Sequence, residues 1–224
     1  MSPSKPSIGV LGGTGPLGRG LVLRLVQAGF PAIVGSRDPQ RAHDKVAELR
    51  TKHDVPDTLL RGAGNREAAA ADIVVVAVPF DGVEPTLREL ADALRGKVVV
   101  SCVNRLDFDD AGPRPVLVDA GSAAELVAQL APGARVVGAF HHVPARRMRS
   151  GAGPIDMDVL VTGDDEEACA TVCDLVEAIP GMRAVRAGPL RLTRPLEELT
   201  AVLVHINRHY HAVTGVRIAG LPAE

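Results

Sequence analysis

"SIGVLGGTGPLGRGLVLRL", residues 7–25, places an apolar run, a glycine-rich loop and an amphipathic pattern in direct succession. Residues 7–12 have the β-branched, apolar character of a buried strand. From Leu17 to Ala28, apolar side chains recur at the spacing of one helix face. The stretch therefore predicts a strand, a tight loop and a helix, which together form the start of a βαβ unit.

The loop contains three glycines in the G-x-G-x-x-G spacing, Gly13, Gly15 and Gly18. The first is expected to allow the tight turn, the second to let the backbone approach a pyrophosphate, and the third to let helix and strand pack closely. Pro16 fits the first helical turn, where its missing N–H costs nothing. Because a helix N-terminus offers free N–H groups to phosphates, we predict that this loop binds a dinucleotide. A purely structural glycine turn is the alternative.

The end of the second strand carries Ser36, Arg37 and Arg41, where an NAD enzyme would carry an Asp or Glu. A hydroxyl and two guanidinium groups cannot replace a carboxylate that accepts hydrogen bonds from two ribose hydroxyls. They do suit a dianionic 2′-phosphate, which arginine binds through charge-assisted hydrogen bonds. We therefore predict NADP as the cofactor, with a solvated basic corner as the alternative.

Composition sets the broad class of the protein. A net charge of −2 over 224 residues gives no general attraction to nucleic acid or to an anionic membrane, and 46% apolar residues allow a packed core. The longest apolar run, residues 73–80, is too short to cross a bilayer, and no secretion signal is recognisable. Three cysteines without a C-x-x-C pair favour a reduced, cytoplasmic chain. We expect small-molecule ligands rather than nucleic acid or membrane partners.

Beyond the first unit, β-branched runs alternate with helical patterns, which is typical of a mostly parallel sheet. The predicted strands are 7–12, 31–36, 72–78, 97–103, 135–140, 158–163 and 183–188. The predicted helices are 17–28, 39–51, 83–94, 123–130 and 166–179, with one long helical candidate over 189–215. Asp81, Asp164 and Asn65 stand where helices are predicted to start.

These patterns predict an α/β, Rossmann-like fold. It consists of a mostly parallel, twisted sheet with helices on both faces, plus a short helical C-terminal part. We divide the chain into an NADP-binding domain over 7–188 and a helical segment over 189–224.

The nicotinamide end of the cofactor is expected over the carboxyl ends of the later strands, which include Val78, Pro79 and Phe80. There is no Tyr-x-x-x-Lys set, and the polar pair at a strand end is His141 and His142. Either imidazole is a candidate general acid or base, a hydrogen-bonding wall of a ring pocket, or plain structure. Carbonyl reduction needs a proton donor, whereas hydride exchange between two ring cofactors needs mainly positioning. The sequence therefore favours a second flat ring as partner.

A metal site is not expected. Cys169 and Cys173 have no further thiol or imidazole ligands beside them, and the Glu of an H-E-x-x-H motif is missing between His205 and His209. The two histidines are expected instead in contacts with a second cofactor or a second subunit.

The sequence resembles the NADPH-dependent reductases of coenzyme F420, a deazaflavin hydride carrier, over essentially its whole length. Besides the glycine loop, the resemblance is carried by "VGSRDPQRA" (34–42), "VVGAFHHVPA" (136–145) and "AGPLRLTRPLEELT" (187–200). It implies reversible hydride transfer between nicotinamide C4 and deazaflavin C5. It also implies a homodimer in which 189–224 completes the deazaflavin pocket and contributes to the dimer contact.

The resemblance further implies site residues, none of them assigned as catalytic. With the glycine loop, the expected NADP contacts are Gly13, Thr14, Gly15, Pro16, Leu17, Gly18, Ser36, Arg37, Arg41, Val78, Pro79, Phe80 and Ala145. The expected deazaflavin contacts are His141, in a positioning role, Val143, Pro144 and Asn207.

Two segments depart from the family pattern, "VNRLDFDDAGPRP" (103–115) and the more basic "ARRMRSG" (145–151). Because of the first departure, the resemblance does not predict the structure of the loop at the ring pocket. In the second, Arg146, Arg147 and Arg149 are candidates for binding the phosphate and glutamate tail of the deazaflavin, with a solvated basic loop as the alternative.

Two other functions stay open at the level of the sequence. One is another NADP-dependent enzyme of the same superfamily, such as a pyrroline-carboxylate or imine reductase or a prephenate dehydrogenase. Most of those enzymes carry a long helical dimerisation domain, whereas only about 36 residues follow the last predicted strand here, which disfavours this alternative. A membrane metalloreductase has a similar soluble domain but needs spanning helices. The other is a non-catalytic NADPH sensor.

Overall fold

The central sheet is built from the apolar runs of the sequence. The computed structural model of the chain describes residues 5–221, and within them eight strands form one sheet and two more form a hairpin. The strands are β1 (Ile8–Leu11), β2 (Ala32–Ser36), β3 (Leu60–Gly64), β4 (Ile73–Val76), β5 (Val98–Ser101), β6 (Leu106–Asp109), β7 (Gly112–Pro115), β8 (Arg135–Gly138), β9 (Met157–Gly163) and β10 (Met182–Gly188). The order is β10-β9-β8-β5-β4-β1-β2-β3, and β6 pairs with β7.

Neighbouring strands of the large sheet are parallel except β8 and β9, which pair antiparallel. The strand order reverses at β1, which lies between β2 and β4. In sheets of this type a crevice opens at the carboxyl ends of the strands on either side of the reversal, and ligands bind there.

Helices cover both faces of the sheet. They are α1 (Pro16–Gln27), α2 (Pro39–Lys52), α3 (Asn65–Ala68), α4 (Val83–Leu94), α5 (Ala123–Leu130), α6 (Ala145–Arg149), α7 (Glu166–Glu177) and α8 (Thr193–Tyr210). Alternate residues of one strand face opposite sides. In β4, Ile73 and Val75 pack with α1, α2 and α7, whereas Val74 and Val76 pack with α4 and α5. The predicted α/β, Rossmann-like architecture with helices on both faces is confirmed.

The predicted strands and longer helices occur at the expected places, and four elements were missed, namely β3, β6, β7 and α6. The edge strand β3 reads "LRGAG", with glycines where a strand usually has branched side chains. The β6–β7 hairpin is rich in glycine and proline, and it replaces the loop left open at 103–115. The short helix α6 begins after Pro144.

The predicted helix starts need correction. Asp165, not Asp164, caps α7 by accepting a hydrogen bond from the Ala168 amide at 2.8 Å. Asn65 is the first residue of α3 rather than its cap, and Asp81 lies in a single 3-10 turn before α4. The long helix predicted over 189–215 ends at Tyr210, because His211 adopts the left-handed conformation (φ 49°).

The segment after β10 packs against the main body of the fold. Helix α8 contacts β7 and α5, and the stretch after it returns to the sheet, where Val216 bridges to Asp158 of β9. The fully buried Asp158 carboxylate accepts hydrogen bonds from Arg183 (2.9 and 2.7 Å), Arg217 (2.7 Å) and the Ile218 amide (2.6 Å). The Asp158 carboxylate of β9 therefore binds both β10, through Arg183, and the segment after α8, through Arg217 and Ile218.

Candidate functional site

The glycine loop connects β1 to α1 through a turn that requires glycine at position 12. Gly12 has φ +76°, and a Cβ there would lie 2.8 Å from the Ala77 carbonyl oxygen. Gly13 lies in the same turn, since its amide donates to the Val10 carbonyl at 3.1 Å and a Cβ there would lie 2.9 Å from that oxygen. The tight turn predicted for Gly13 therefore involves Gly12 as well. Gly13 also packs against β2, since its amide donates to the Gly35 carbonyl at 3.0 Å. Gly18 allows the close helix–strand packing expected of the third glycine, because a Cβ there would lie 2.5 Å from the Gly12 carbonyl oxygen.

A cavity of about 680 Å³ opens at the carboxyl ends of β1, β2 and β4, where the strand order reverses. Its lining includes Thr14, Gly15, Pro16, Leu17, Ser36, Arg37, Arg41, Val78, Pro79 and Ala145, all of them predicted cofactor contacts. Gly13, Gly18 and Phe80 do not line it. The two glycines act through packing, and the Phe80 ring lies instead against the Arg105 guanidinium at 4.7 Å.

The rim of the cavity at the end of β2 is basic. Ser36 is buried, and its hydroxyl accepts a hydrogen bond from the Asp38 amide at 3.2 Å. Asp38 in turn caps α2 through the Gln40 amide. The side chains of Arg37 and Arg41 are exposed and engage no other side chain within residues 5–221. Two free guanidinium groups and a hydroxyl at the edge of a cavity fit a phosphate ester.

Sequence reasoning missed several residues of the cavity wall. Asn65 is the most informative of them, since its side-chain oxygen is buried and has no hydrogen-bond partner among the described residues. Thr86 and Asp81 also line the wall, on the side of α4. Asn65 follows the glycine-rich β3, so recognising that strand would have placed it at the same edge as Ser36. The Asn65 oxygen lies beside Gly35 of β2, so Asn65 combines a buried acceptor without a partner with a place in the cavity wall.

Helix α6 is fixed against α1 by a buried arginine. The Arg24 guanidinium donates hydrogen bonds to the carbonyl oxygens of Arg147 (3.2 Å), Met148 (3.1 Å), Ala152 (3.2 Å) and Gly153 (3.0 Å). These bonds hold the start of α6, including Ala145, at the cavity. Among the candidate anion-binding arginines, Arg147 donates to the Pro154 carbonyl and Arg149 to the Ala145 carbonyl.

The two histidines at the end of β8 are buried. Phe140, which precedes them, has φ +63°, a conformation uncommon for a bulky residue. The His141 carbonyl accepts hydrogen bonds from the Asn104 side chain (2.8 Å) and the Thr200 hydroxyl (3.0 Å), while both ring nitrogens of His141 lack a partner among the described residues. Burial, aided by neighbouring His142, lowers the pKa of His141 to about 3. The His141 ring is therefore neutral at physiological pH.

His142 is held differently. Its Nε2 lies 3.0 Å from the Asp158 carbonyl oxygen, and burial lowers its pKa as well. His142 thus links the end of β8 to β9 and has a structural partner that His141 lacks.

A buried carboxylate stands beside His141. Glu197 of α8 accepts hydrogen bonds from the Ala123 (2.9 Å) and Ala124 (3.1 Å) amides at the N-terminus of α5, and its Oε1 lies 4.0 Å from His141 Nε2. Burial raises the pKa of Glu197 to about 7, although the two amides act in the opposite direction. Sequence reasoning missed Glu197, because the Ala123 and Ala124 amides that bind it lie more than seventy positions away along the chain.

The predicted deazaflavin contacts do not line the cavity of about 680 Å³. His141 and Val143 are buried, and Pro144 is half-buried at the start of α6. Asn207 lies near the end of α8, where its side chain accepts a hydrogen bond from the Thr214 amide at 2.7 Å. The structure therefore brings His141, Val143 and Pro144 to the strand ends beside the cavity, and places Asn207 with the segment after α8.

The described residues offer neither a cluster of metal ligands nor a membrane-spanning helix. Within the described part of the chain, no group of three or more His, Cys, Asp and Glu side chains could hold a metal ion. His205 and His209 are exposed on α8. Nor does any helix between residues 5 and 221 have the length and apolar character needed to span a membrane.

A parallel sheet with a glycine-rich first loop, and a cavity at the reversal of strand order, define a dinucleotide-binding protein of the doubly wound α/β class. The family model for coenzyme F420-dependent NADP oxidoreductases matches residues 7–105. The chain is 36% identical to the F420-dependent NADP reductase of Methanothermobacter thermautotrophicus, over 97% of this chain and 96% of the relative. The chain belongs to the family of F420-dependent NADP reductases.

Solved structures agree with this assignment. A candidate F420-dependent NADP reductase from Arthrobacter sp. FB24 superposes with a TM-score of 0.81 at 26% identity, covering 95% of this chain and 98% of that one. An imine reductase from Bacillus cereus has a TM-score of 0.63 at 18% identity, covering 92% of this chain and 63% of the other. The latter likeness concerns the fold alone.

Proposed function

We propose that this protein transfers a hydride reversibly between NADPH and the deazaflavin coenzyme F420. The observation that carries the proposal is the cavity at the ends of β1, β2 and β4, with free Arg37 and Arg41 at its rim, in a chain of the F420-dependent NADP reductase family. The cavity supplies the phosphate-binding features that NADP needs, and the family supplies the class of the second substrate.

The pyrophosphate of NADP is proposed to lie against the backbone of Thr14, Gly15, Pro16 and Leu17. Pro16 begins α1, so the free N–H groups of the first helical turn face the cavity. The 2′-phosphate is proposed to lie between Ser36, Arg37 and Arg41, and Asn65 to hydrogen-bond the neighbouring ribose. Val78, Pro79 and Ala145 would then orient the ring end of the dinucleotide.

The deazaflavin is proposed to lie beyond β5 and β8, against the segment that contains His141, Val143 and Pro144. Nicotinamide and deazaflavin supply the hydride chemistry themselves, so the protein must hold two flat rings parallel and close. Helix α8 contributes Thr200, which fixes the His141 carbonyl. This contact supports the proposal that residues 189–224 complete the second-substrate pocket. Phe80 and Asn207 would contribute only through rearrangement, since the Phe80 ring lies against Arg105 and the Asn207 side chain accepts a hydrogen bond from the Thr214 amide.

A homodimer is part of the proposal. Large apolar side chains are exposed on the β6–β7 hairpin, just after it, and on the adjacent α8, namely Phe108 (63%), Leu117 (67%), Val202 (53%) and Tyr210 (70%). Helix α8 packs on β7, so these residues lie in one region, and a second copy of the chain would cover them. We further propose a cytoplasmic location, which suits the free thiols of Cys102, Cys169 and Cys173.

The activity is tested by mixing the protein with NADPH and oxidised coenzyme F420 and following the deazaflavin absorbance. Loss of the oxidised-deazaflavin band together with NADPH oxidation is expected, and the reverse reaction is expected with NADP and the reduced deazaflavin. A small cyclic imine serves as the competing substrate. Turnover of the imine without turnover of the deazaflavin would contradict the proposal, and tight NADPH binding with turnover of neither would favour a sensor.

A further inference from the structure

Hydride exchange with a deazaflavin requires a proton as well as a hydride. One hydrogen and two electrons pass from nicotinamide C4 to deazaflavin C5, and the pyrimidine part of the deazaflavin takes up one proton from elsewhere. Nothing in the cavity wall described above is placed to supply it, except the Asp81 carboxylate at the side of α4. The source of the proton is therefore a question separate from hydride transfer.

We propose that Glu197, acting through the imidazole of His141, supplies this proton during deazaflavin reduction and takes it back in the reverse direction. The inference rests on the proposed function. It follows from three observations: a buried carboxylate, a buried imidazole 4.0 Å from it, and the two ring nitrogens of that imidazole without partners among the described residues.

The contact between Glu197 and His141 is not an ion pair. Both side chains are almost completely buried, and His141 is neutral at physiological pH. A structural histidine in such a place normally has a hydrogen-bond partner for its N–H, because an unpaired buried donor costs about 1–3 kcal/mol. His142, one residue along, has such a partner. The missing partners of His141 indicate a ring that exchanges protons with groups arriving at both nitrogens.

Glu197 can hold its proton and can also lose it. The protonated acid is favoured by burial, and the carboxylate is stabilised by the Ala123 and Ala124 amides at the start of α5. Because these opposing effects leave the pKa near 7, both forms are populated at neutral pH. The charged or titratable groups near Glu197 on the packed elements are Glu125 on α5, Arg194 and Glu198 on α8, Arg105 after β5, and His141 after β8.

The proposed step moves two protons across the His141 ring. Glu197 Oε1 and His141 Nε2, which are 4.0 Å apart, first close to hydrogen-bond distance by side-chain rotation. The O–H bond of protonated Glu197 then breaks and an N–H bond forms at Nε2, while the N–H bond at Nδ1 breaks and its proton goes to the pyrimidine nitrogen of the deazaflavin. Glu197 is left as a carboxylate, and His141 is left neutral in its other tautomer. After the reduced deazaflavin has left, the ring regains the first tautomer by proton exchange with water, which takes the Nε2 proton and supplies one to Nδ1.

Glu197 also has a route to solvent. It lines a cavity of about 10 Å³ together with Arg105, Gly121, Glu198 and the exposed Arg194. That volume is close to the room that one water molecule needs. Water in this cavity would return a proton to Glu197 after each turnover.

The test begins with the ligand-free protein, so that it does not depend on activity. The infrared band of a protonated carboxylic acid is followed against pH in wild type, in Glu197→Gln and in the control Glu198→Gln. A band that disappears as the pH rises through about 7 is expected in wild type, and it should be missing in Glu197→Gln. In Glu198→Gln the band should remain and disappear at a somewhat lower pH, because the charge of Glu198 helps to raise the pKa of Glu197. A carboxyl that titrates near its ordinary value of 4.5 would overturn the proposal.

The second readout is the pH profile of turnover in both directions. Since the acid form exists below pH 7, deazaflavin reduction should fall by up to about tenfold per pH unit above it, and NADP reduction should rise through the same range. The rates in both directions should lose this dependence on pH in Glu197→Gln and keep it in Glu198→Gln. If Glu197→Gln does not fold, His141→Phe is used instead. In that variant the infrared band of Glu197 should still titrate, while the rate of turnover should no longer change with the protonation of Glu197.

The outcomes are separable. Wild-type hydride exchange with an unchanged profile in Glu197→Gln overturns the proton role and leaves the proposed function intact. A wild type that exchanges no hydride at any pH overturns the proposed function, and the proton role with it.

Discussion

Arg37 and Arg41 stand free at the rim of the cavity, while most other arginines of the described chain are engaged with carbonyls or carboxylates. An arginine without a protein partner keeps its hydrogen-bonding capacity for a ligand. We therefore expect the choice between NADPH and NADH to depend on very few side chains.

Replacing Arg37 by Gln should weaken NADPH binding by about 10- to 100-fold and leave NADH binding nearly unchanged. A charge-assisted hydrogen bond contributes roughly 1.5–3 kcal/mol, and about 1.4 kcal/mol corresponds to tenfold in affinity. In the wild type, NADPH should bind at least about tenfold more tightly than NADH for the same reason. Calorimetric titration with both dinucleotides measures these differences.

Arg61→Gln is the matched control, since Arg61 is an exposed arginine of the neighbouring β3 that does not line this cavity. If Arg37→Gln and Arg61→Gln bind NADPH equally well, the 2′-phosphate is bound elsewhere.

Replacing His141 by Ala should lower deazaflavin turnover by about 10- to 100-fold without abolishing it. Hydride transfer depends mainly on ring placement, and water can bring the proton once the imidazole is gone. An imine or carbonyl reductase that used His141 as its acid would lose about 10²- to 10⁴-fold instead. Stopped-flow absorbance with each substrate separates the two cases, with circular dichroism to establish that the variant is folded.

Among the elements, the glycine loop shows how one motif separates folding from binding. Gly12 and Gly15 both line the cavity, but Gly12 has a positive φ and is crowded by the Ala77 backbone, whereas Gly15 has φ −73°. Two glycines of the same loop are therefore under different constraints.

Gly12→Ala should lower the free energy of unfolding by at least about 1 kcal/mol, because the left-handed conformation and the short contact both oppose a side chain. Gly15→Ala should lower the unfolding free energy less than Gly12→Ala, because its φ is ordinary and its Cβ would lie 3.2 Å from the Gly12 carbonyl oxygen rather than 2.8 Å from a neighbouring one. It should weaken NADPH binding, since its methyl group would occupy the space beside the proposed pyrophosphate position. Chemical denaturation and calorimetry measure the two effects. Equal stability of the two variants would refute this division of roles.

Local patterns in the sequence predicted β1, the loop, α1 and the basic end of β2, because periodicity and short spacings determine them. The same reasoning missed β3, where glycines obscure the strand pattern, and with it Asn65. It also missed Glu197, whose burial against Ala123 and His141 depends on the packing of three distant elements. Long-range burial of polar groups is the part of the site that one sequence alone does not specify.

At the scale of the whole molecule, Asp158 connects β9, β10 and the segment after α8. Arg183 and Arg217 hold the pKa of its carboxyl well below the ordinary value of 3.8, mainly through hydrogen bonds from Arg183. A depressed pKa contributes stability at pH values above 3.8, and that contribution is lost as the pH falls below it.

Asp158→Asn should lower the free energy of unfolding by about 3 kcal/mol near neutral pH. This is the lower end of the cost of breaking a buried pair, because both arginines stay partly exposed. The difference from wild type should shrink below pH 4. Urea denaturation across pH measures it, and Asp156→Asn, an exposed partner of Arg217, should change stability by less than about 1 kcal/mol. Equal losses in the two variants would contradict the central role of Asp158.

The position of Asp158 in the chain also bears on synthesis at the ribosome. Two of the groups that surround its carboxylate belong to residues 217 and 218, about sixty positions later. At roughly 5–20 residues per second, a nascent chain makes residue 158 some 3–12 s before residue 218. Arg183 is made earlier, 25 positions after Asp158, so until residues 217 and 218 follow only part of the hydration of the carboxylate is replaced. We therefore expect this edge of the sheet to be completed after the first βαβ unit and its cavity have had time to form.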